Sequence, residues 1–112
     1  MVDDKLKDSF KNFTHSNYCV SLILGPNLKY KRKTIIEKLK KKEIGTSIYY
    51  PGPIPDFSFY KEKYNTNAKN FPKAKCISNE SIALSVGPHL RKKHMNFLSK
   101  NLKEINKDEI KE

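Results

Sequence analysis

Three kinds of side chain here could take part in chemistry at a site: an adjacent pair of tyrosines, three histidines and many lysines. Tyr49 and Tyr50 close a short β-rich run that starts at Ile44, and Pro51, Gly52, Pro53, Ile54 and Pro55 follow at once. Proline fixes φ and lacks an N–H, so the strand must stop at Pro51. Residues 51–55 then make a stiff, extended rim at a strand end, a place where loops on a rigid scaffold commonly carry binding groups. The same residues also suit plain strand closure and packing against a helix.

The remaining candidates form no constellation. His15, His89 and His94 stand in three contexts without ligand spacing, and Cys19 and Cys76 match no zinc pattern. His89, beside Pro88, reads as exposed, and His94, on an apolar helical face, as half-buried packing. There is no glycine-rich phosphate loop, no pair of carboxylates on one face and no nucleophile elbow. Nothing marks one lysine as desolvated, as a Schiff-base lysine must be. The residues alone therefore nominate no catalytic group, no metal ligand and no cofactor ligand.

The totals constrain what holds such residues in place. At 112 residues the chain makes one small domain, and its 37% hydrophobic content is low for a self-sufficient core. A neighbouring surface would complete it. Lys+Arg is 23 against 12 for Asp+Glu, a net charge of +11. Such an excess attracts polyanions at low salt. Arg32 and Arg91 are the only arginines, however, and the lysines spread along the whole chain, which argues against specific nucleic-acid readout. No signal peptide and no stretch of transmembrane length is visible, so a cytoplasmic chain with two free, buried thiols and no membrane partner is the expectation.

Periodicity places the elements. Residues 1–17 read as an N-terminal arm or frayed helix, with Leu6, Phe10 and Phe13 at helical spacing. Residues 18–24 read as a strand covered on both faces and cut by Gly25-Pro26. Asn27 caps a helix over residues 28–43, whose apolar stripe is Tyr30, Ile35, Ile36 and Leu39, and Gly45 provides a left-handed stop. A second strand spans 46–50. Phe57, Phe59, Tyr60 and Tyr64 make an aromatic segment that either plugs the open side of the sheet or, with Lys61 and Lys63, stacks single-stranded nucleic acid. A short helix opens at Phe71-Pro72, a third strand covers 82–86, and a last helix covers 90–105 before a frayed tail, 106–112. The class is α/β (α+β): a small three-stranded sheet with helices packed on one face.

Several stretches, taken in order, resemble a known family. They are residues 44–55, Phe59-Tyr60, Phe71-Pro72-Lys73-Ala74, and Ser78-Asn79-Glu80-Ser81-Ile82-Ala83-Leu84-Ser85-Val86-Gly87-Pro88-His89-Leu90. Together they resemble the C-terminal part of the DegT/DnrJ/StrS family of pyridoxal-phosphate aminotransferases, which act mostly on nucleotide-linked keto sugars. Ser85 stands where that pattern usually has proline, Lys75 where it has glutamate, and Arg91-Lys92-Lys93-His94 where the last helix usually opens with serine and acids.

The resemblance implies that residues 18–105 are the small domain of an aspartate-aminotransferase-like fold. It implies that pyridoxal phosphate is held by a large domain preceding this one, which supplies the Schiff-base lysine, the aspartate under the pyridine nitrogen and the phosphate contacts. No cofactor is then expected on this chain alone. The partner would be that large domain, within the homodimers the family forms, and the chain would be a truncated or split member without activity of its own. Tyr49, Tyr50, Pro51 and His89 would line the sugar-nucleotide side of the cleft. The alternative is a stand-alone basic module binding single-stranded nucleic acid through Phe59, Tyr60 and Tyr64.

Overall fold

The computed structural model describes residues 11, 12, 14 and 16–111. Most of the stretch read as an arm, with Leu6, Phe10, Phe13 and His15, lies outside them.

Three strands, β1 (Val20–Ile23), β2 (Thr46–Ser47) and β3 (Ser81–Leu84), form an antiparallel sheet in the order β1-β3-β2. Among the described residues four α-helices accompany it: α1 (Arg32–Lys41), α2 (Ser58–Tyr64), α3 (Pro72–Glu80) and α4 (Lys92–Lys111). The fold is thus mixed α and β. In register, Leu22 faces Ile82, while Leu84 faces Val20 on one side and Thr46 on the other. All four residues of the central strand are buried.

The core is where the alternation of β3 meets the helical stripes. Leu24, Ile35, Leu39, Ile44, Ile82, Leu84 and Ile105 form one cluster, with Leu39 and Ile82 wholly shielded from solvent. Burying such a side chain contributes about 1.5–3 kcal/mol. Helix α1 supplies Ile35 and Leu39, packs on β2 and β3, and meets α4 on its other flank.

Several boundaries move, each for a local reason. Asn27 caps nothing: Pro26–Leu28 is a separate 3-10 turn, Tyr30 adopts a left-handed φ of 71°, and α1 begins only at Arg32 without a side-chain cap. Tyr30, assigned to the apolar stripe, is 87% exposed. The left-handed stop of α1 is Glu43, φ 59°, rather than Gly45. The Glu43 N–H donates to Lys40 O and the Ile44 N–H to Leu39 O, and Ile44 then drops onto Leu39 in the core. That pair of bonds with an apolar contact is the Schellman arrangement, which sets the left-handed residue two before Gly45.

The strand β2 stops after two pairs, and β3 ends at Leu84, two residues before the expected close. Strand β1 lies at the sheet edge, so Val20 and Ile23 are half exposed and not covered on both faces. The aromatic segment does not plug the sheet. It forms α2, which packs on the Ile54–Asp56 turn, and Phe57, Phe59, Tyr60 and Tyr64 remain largely exposed. Cys19 is half buried and Cys76 exposed, against the expectation of two buried thiols.

The last helix corrects the sequence most. It runs through residues 106–111, where a frayed tail was expected, because Glu109 is buried and engaged by Lys31 and by Lys38. Its cationic opening is also capped: Nδ1 of the half-buried His94 accepts the Arg91 N–H at 2.9 Å. This is the back-reaching half of a capping box, with histidine at the third helical position.

Candidate functional site

Strand ends bring two of the four nominated residues together. Beyond Ser47 the chain leaves the sheet carrying Tyr49, and beyond Leu84 it turns through Gly87 to His89. Tyr49 and His89 line one hollow of about 340 Å³ at the end of β3, floored by Ala83 and flanked by Ser47 and Ser85. Both are solvent-accessible, with Tyr49 49% exposed. Where the resembled pattern has proline, the Ser85 hydroxyl donates to the Gly45 carbonyl at 3.0 Å, tying the entry of β2 to the exit of β3.

Gly87 sets the position of the histidine ring. Its φ is +156°, and a Cβ there would lie 2.7 Å from both Cε1 and Nδ1 of His89. Only a residue without a side chain lets the imidazole lie so close to the backbone. A turn closed by the Leu90 N–H on Gly87 O, 3.1 Å, carries that ring toward the hollow.

Tyr50 and Pro51 do not join them. Tyr50 borders a separate apolar hollow of about 410 Å³ with Pro53, Ile54, Phe71 and Ile77, while exposed Pro51 borders neither. The rim itself is firmly held. Pro53 is buried and extended, the Thr66 hydroxyl donates to Pro55 O at 2.9 Å, and the Ala68 N–H donates to Asp56 Oδ1 at 3.2 Å.

Holding pyridoxal phosphate requires a desolvated lysine. No described lysine is buried. Lys31 and Lys38, whose side chains are 30% and 33% exposed, are both spent on Glu109. Lys29, beside Tyr30, has its ammonium held above the usual value chiefly by the hydrogen bond to that phenol, the opposite of what an amine nucleophile needs. The described residues alone do not fit the cofactor. They also contain no group of three or more His, Cys, Asp or Glu able to hold a metal ion, and no helix long and apolar enough to cross a membrane.

Two features escaped the sequence. One is the clasp of Lys31 and Lys38 on Glu109; the signal for it was the extension of the stripe Asn101, Ile105 by a further four residues to Glu109. The other is Arg32, whose guanidinium donates to Ser78 O at 2.6 Å and so caps the carbonyl end of α3. The exposed rings of α2 interact chiefly with one another: Tyr60 and Tyr64 stack at 6.2 Å, and Lys63 lies over Phe59 and Tyr64.

Comparison with known proteins gives a family. The model of the DegT/DnrJ/EryC1/StrS aminotransferase family matches residues 3–103. An uncharacterized protein of Methanocaldococcus jannaschii, MJ1066, is 30% identical over 81 residues, covering 71% of this chain and 21% of that protein. The chain thus matches about a fifth of the length of that curated relative. No solved structure matches.

Proposed function

We propose a function from what the chain is: it belongs to the DegT/DnrJ/EryC1/StrS aminotransferase family, and it works as the C-terminal small domain of a pyridoxal-phosphate sugar aminotransferase. The β1-β3-β2 sheet with α1 and α4 is, in this reading, the small domain of an aspartate-aminotransferase-like fold. The observation that carries the reading is a family match over nearly the whole chain in a molecule whose described lysines are all solvent-accessible. The residues that hold the cofactor then belong to a large domain, on a separate chain or elsewhere in a longer one. A shared cleft would also cover apolar surface now open at Tyr49, Tyr50 and Ile54.

When bound in that neighbouring domain, the cofactor supplies the electron sink for moving an amino group to a keto sugar. The residues of this chain bind and orient the sugar. The Tyr49 hydroxyl and the His89 imidazole offer hydrogen bonds to sugar hydroxyls or to the diphosphate, and the Ser47 and Ser85 hydroxyls flank them; Tyr50, on the neighbouring apolar hollow, and Pro51 stand outside this contact set.

Calorimetric titration of pyridoxal phosphate into the isolated chain tests the division of labour. No saturable site is expected. Stoichiometric binding to one lysine, located by borohydride reduction and mass spectrometry, would place the cofactor here and overturn the reading.

A further inference from the structure

We propose that the outer face of α4 is a binding surface for the phosphodiester backbone of nucleic acid. Lys93, Lys100, Lys103, Lys107 and Lys111 follow one another at spacings of seven, three, four and four. At 3.6 residues per turn these positions fall on one stripe. All five are exposed, and the stripe lies opposite the face on which Asn101, Ile105 and Glu109 are buried. At 1.5 Å per residue it runs for about 27 Å along a straight helix.

The middle of the stripe is a trough. Lys100, Lys103 and Lys107, with Asn96 and Ser99, border a groove of about 420 Å³ in which Glu104 is the only acid. Asp108, exposed on the same helix, does not border the groove, and Glu109 is buried on the opposite face with Lys31 and Lys38. Cationic groups one helical turn apart, roughly 5–6 Å between Cβ atoms, suit a row of phosphates. Lysine is a point charge on a flexible stem, so such a row grips phosphates without reading bases. The net charge of +11 favours encounter over any part of the surface, whereas the trough localises the grip. The surface is separate from the hollow of Tyr49 and His89 and does not depend on its function.

The test is fluorescence anisotropy of a labelled random-sequence DNA duplex with the full chain across a salt series. Each engaged lysine adds about 0.9 to the slope of log affinity against log salt. Replacing Lys100, Lys103 and Lys107 by alanine together is expected to reduce that slope by about 3 while leaving the circular dichroism unchanged. Replacing exposed Lys69, Lys73 and Lys75 removes the same charge and is expected to leave the slope nearly intact. An equal loss in both triple variants would show that only net charge acts and overturn the proposal. So would absence of duplex binding near physiological salt, or retention by anionic lipid vesicles without binding to the duplex.

Discussion

Lys31 reaches 78 positions along the chain to Glu109, with its ammonium 3.3 Å from the carboxylate Oε2 and 2.5 Å from the backbone carbonyl oxygen of the same residue. One side chain thus satisfies both a nearly buried charge and a carbonyl near the end of α4. Lys38, two turns further along, pairs with the other carboxylate oxygen.

That clasp makes stability pH-dependent. The Glu109 carboxyl is held below its usual value, first by the hydrogen bond from Lys38 and further by Lys31, while burial acts in the opposite direction. Its folded value lies below its unfolded one, so the contribution is complete above the ordinary carboxylate range and disappears as pH falls through the folded value. Glu109→Gln is expected to lower the urea midpoint at neutral pH and to flatten its decline in acid. An acid limb identical to that of the natural chain would show that Glu109 is not the group responsible.

The centre of the core should be unforgiving. Leu39 and Ile82 have no solvent exposure, and truncating either to alanine is expected to cost about 2–5 kcal/mol in urea unfolding. A loss below 1 kcal/mol would mean that the sheet and α1 collapse onto the gap.

Glu43 holds a left-handed backbone, φ 59°, that a residue with a Cβ adopts at a cost. Glu43→Gly is therefore expected to raise stability by roughly 0.5–1 kcal/mol, read as a higher denaturation midpoint. A fall would indicate that the Glu43 side chain contributes more than the relief of strain.

These three cases divide by how local their causes are. Leu39 and Ile82 were legible in the sequence, because apolar periodicity and a β-branched run depend only on near neighbours. Glu43 was not: glycine is the usual left-handed stop, but here Ile44 must reach Leu39 in the core, and that tertiary contact fixes the turn two residues early. Glu109 was hidden for the same reason, since its partners lie on another helix. At the candidate site, the proline rim was readable from spacing, whereas a place for His89 beside it came only from the family resemblance. The separation of Tyr50 from Tyr49 was readable too, since adjacent side chains of an extended chain point to opposite faces; the early end of β2 after two pairs was not.

Gly87 governs His89. A methyl at position 87 would lie 2.7 Å from the ring, on a backbone conformation that residues with side chains rarely adopt. Gly87→Ala is expected to cost about 1 kcal/mol and to shift the His89 imidazole resonances in a two-dimensional NMR spectrum, leaving those of His94 in place. Unchanged His89 resonances would show that the ring is not positioned by this glycine.

In the proposed function this chain supplies the sugar-side half of an aminotransferase cleft. A chimera in which residues 18–111, α4 and its Glu109 clasp included, replace the matching segment of an active member of the family tests this most directly. The cofactor-loaded chimera is expected to turn over a keto-sugar nucleotide faster than the same enzyme with its small domain deleted. Replacing Tyr49 and His89 by alanine is expected to abolish the gain without releasing the cofactor. A folded, cofactor-loaded chimera no faster than the deleted enzyme would contradict it.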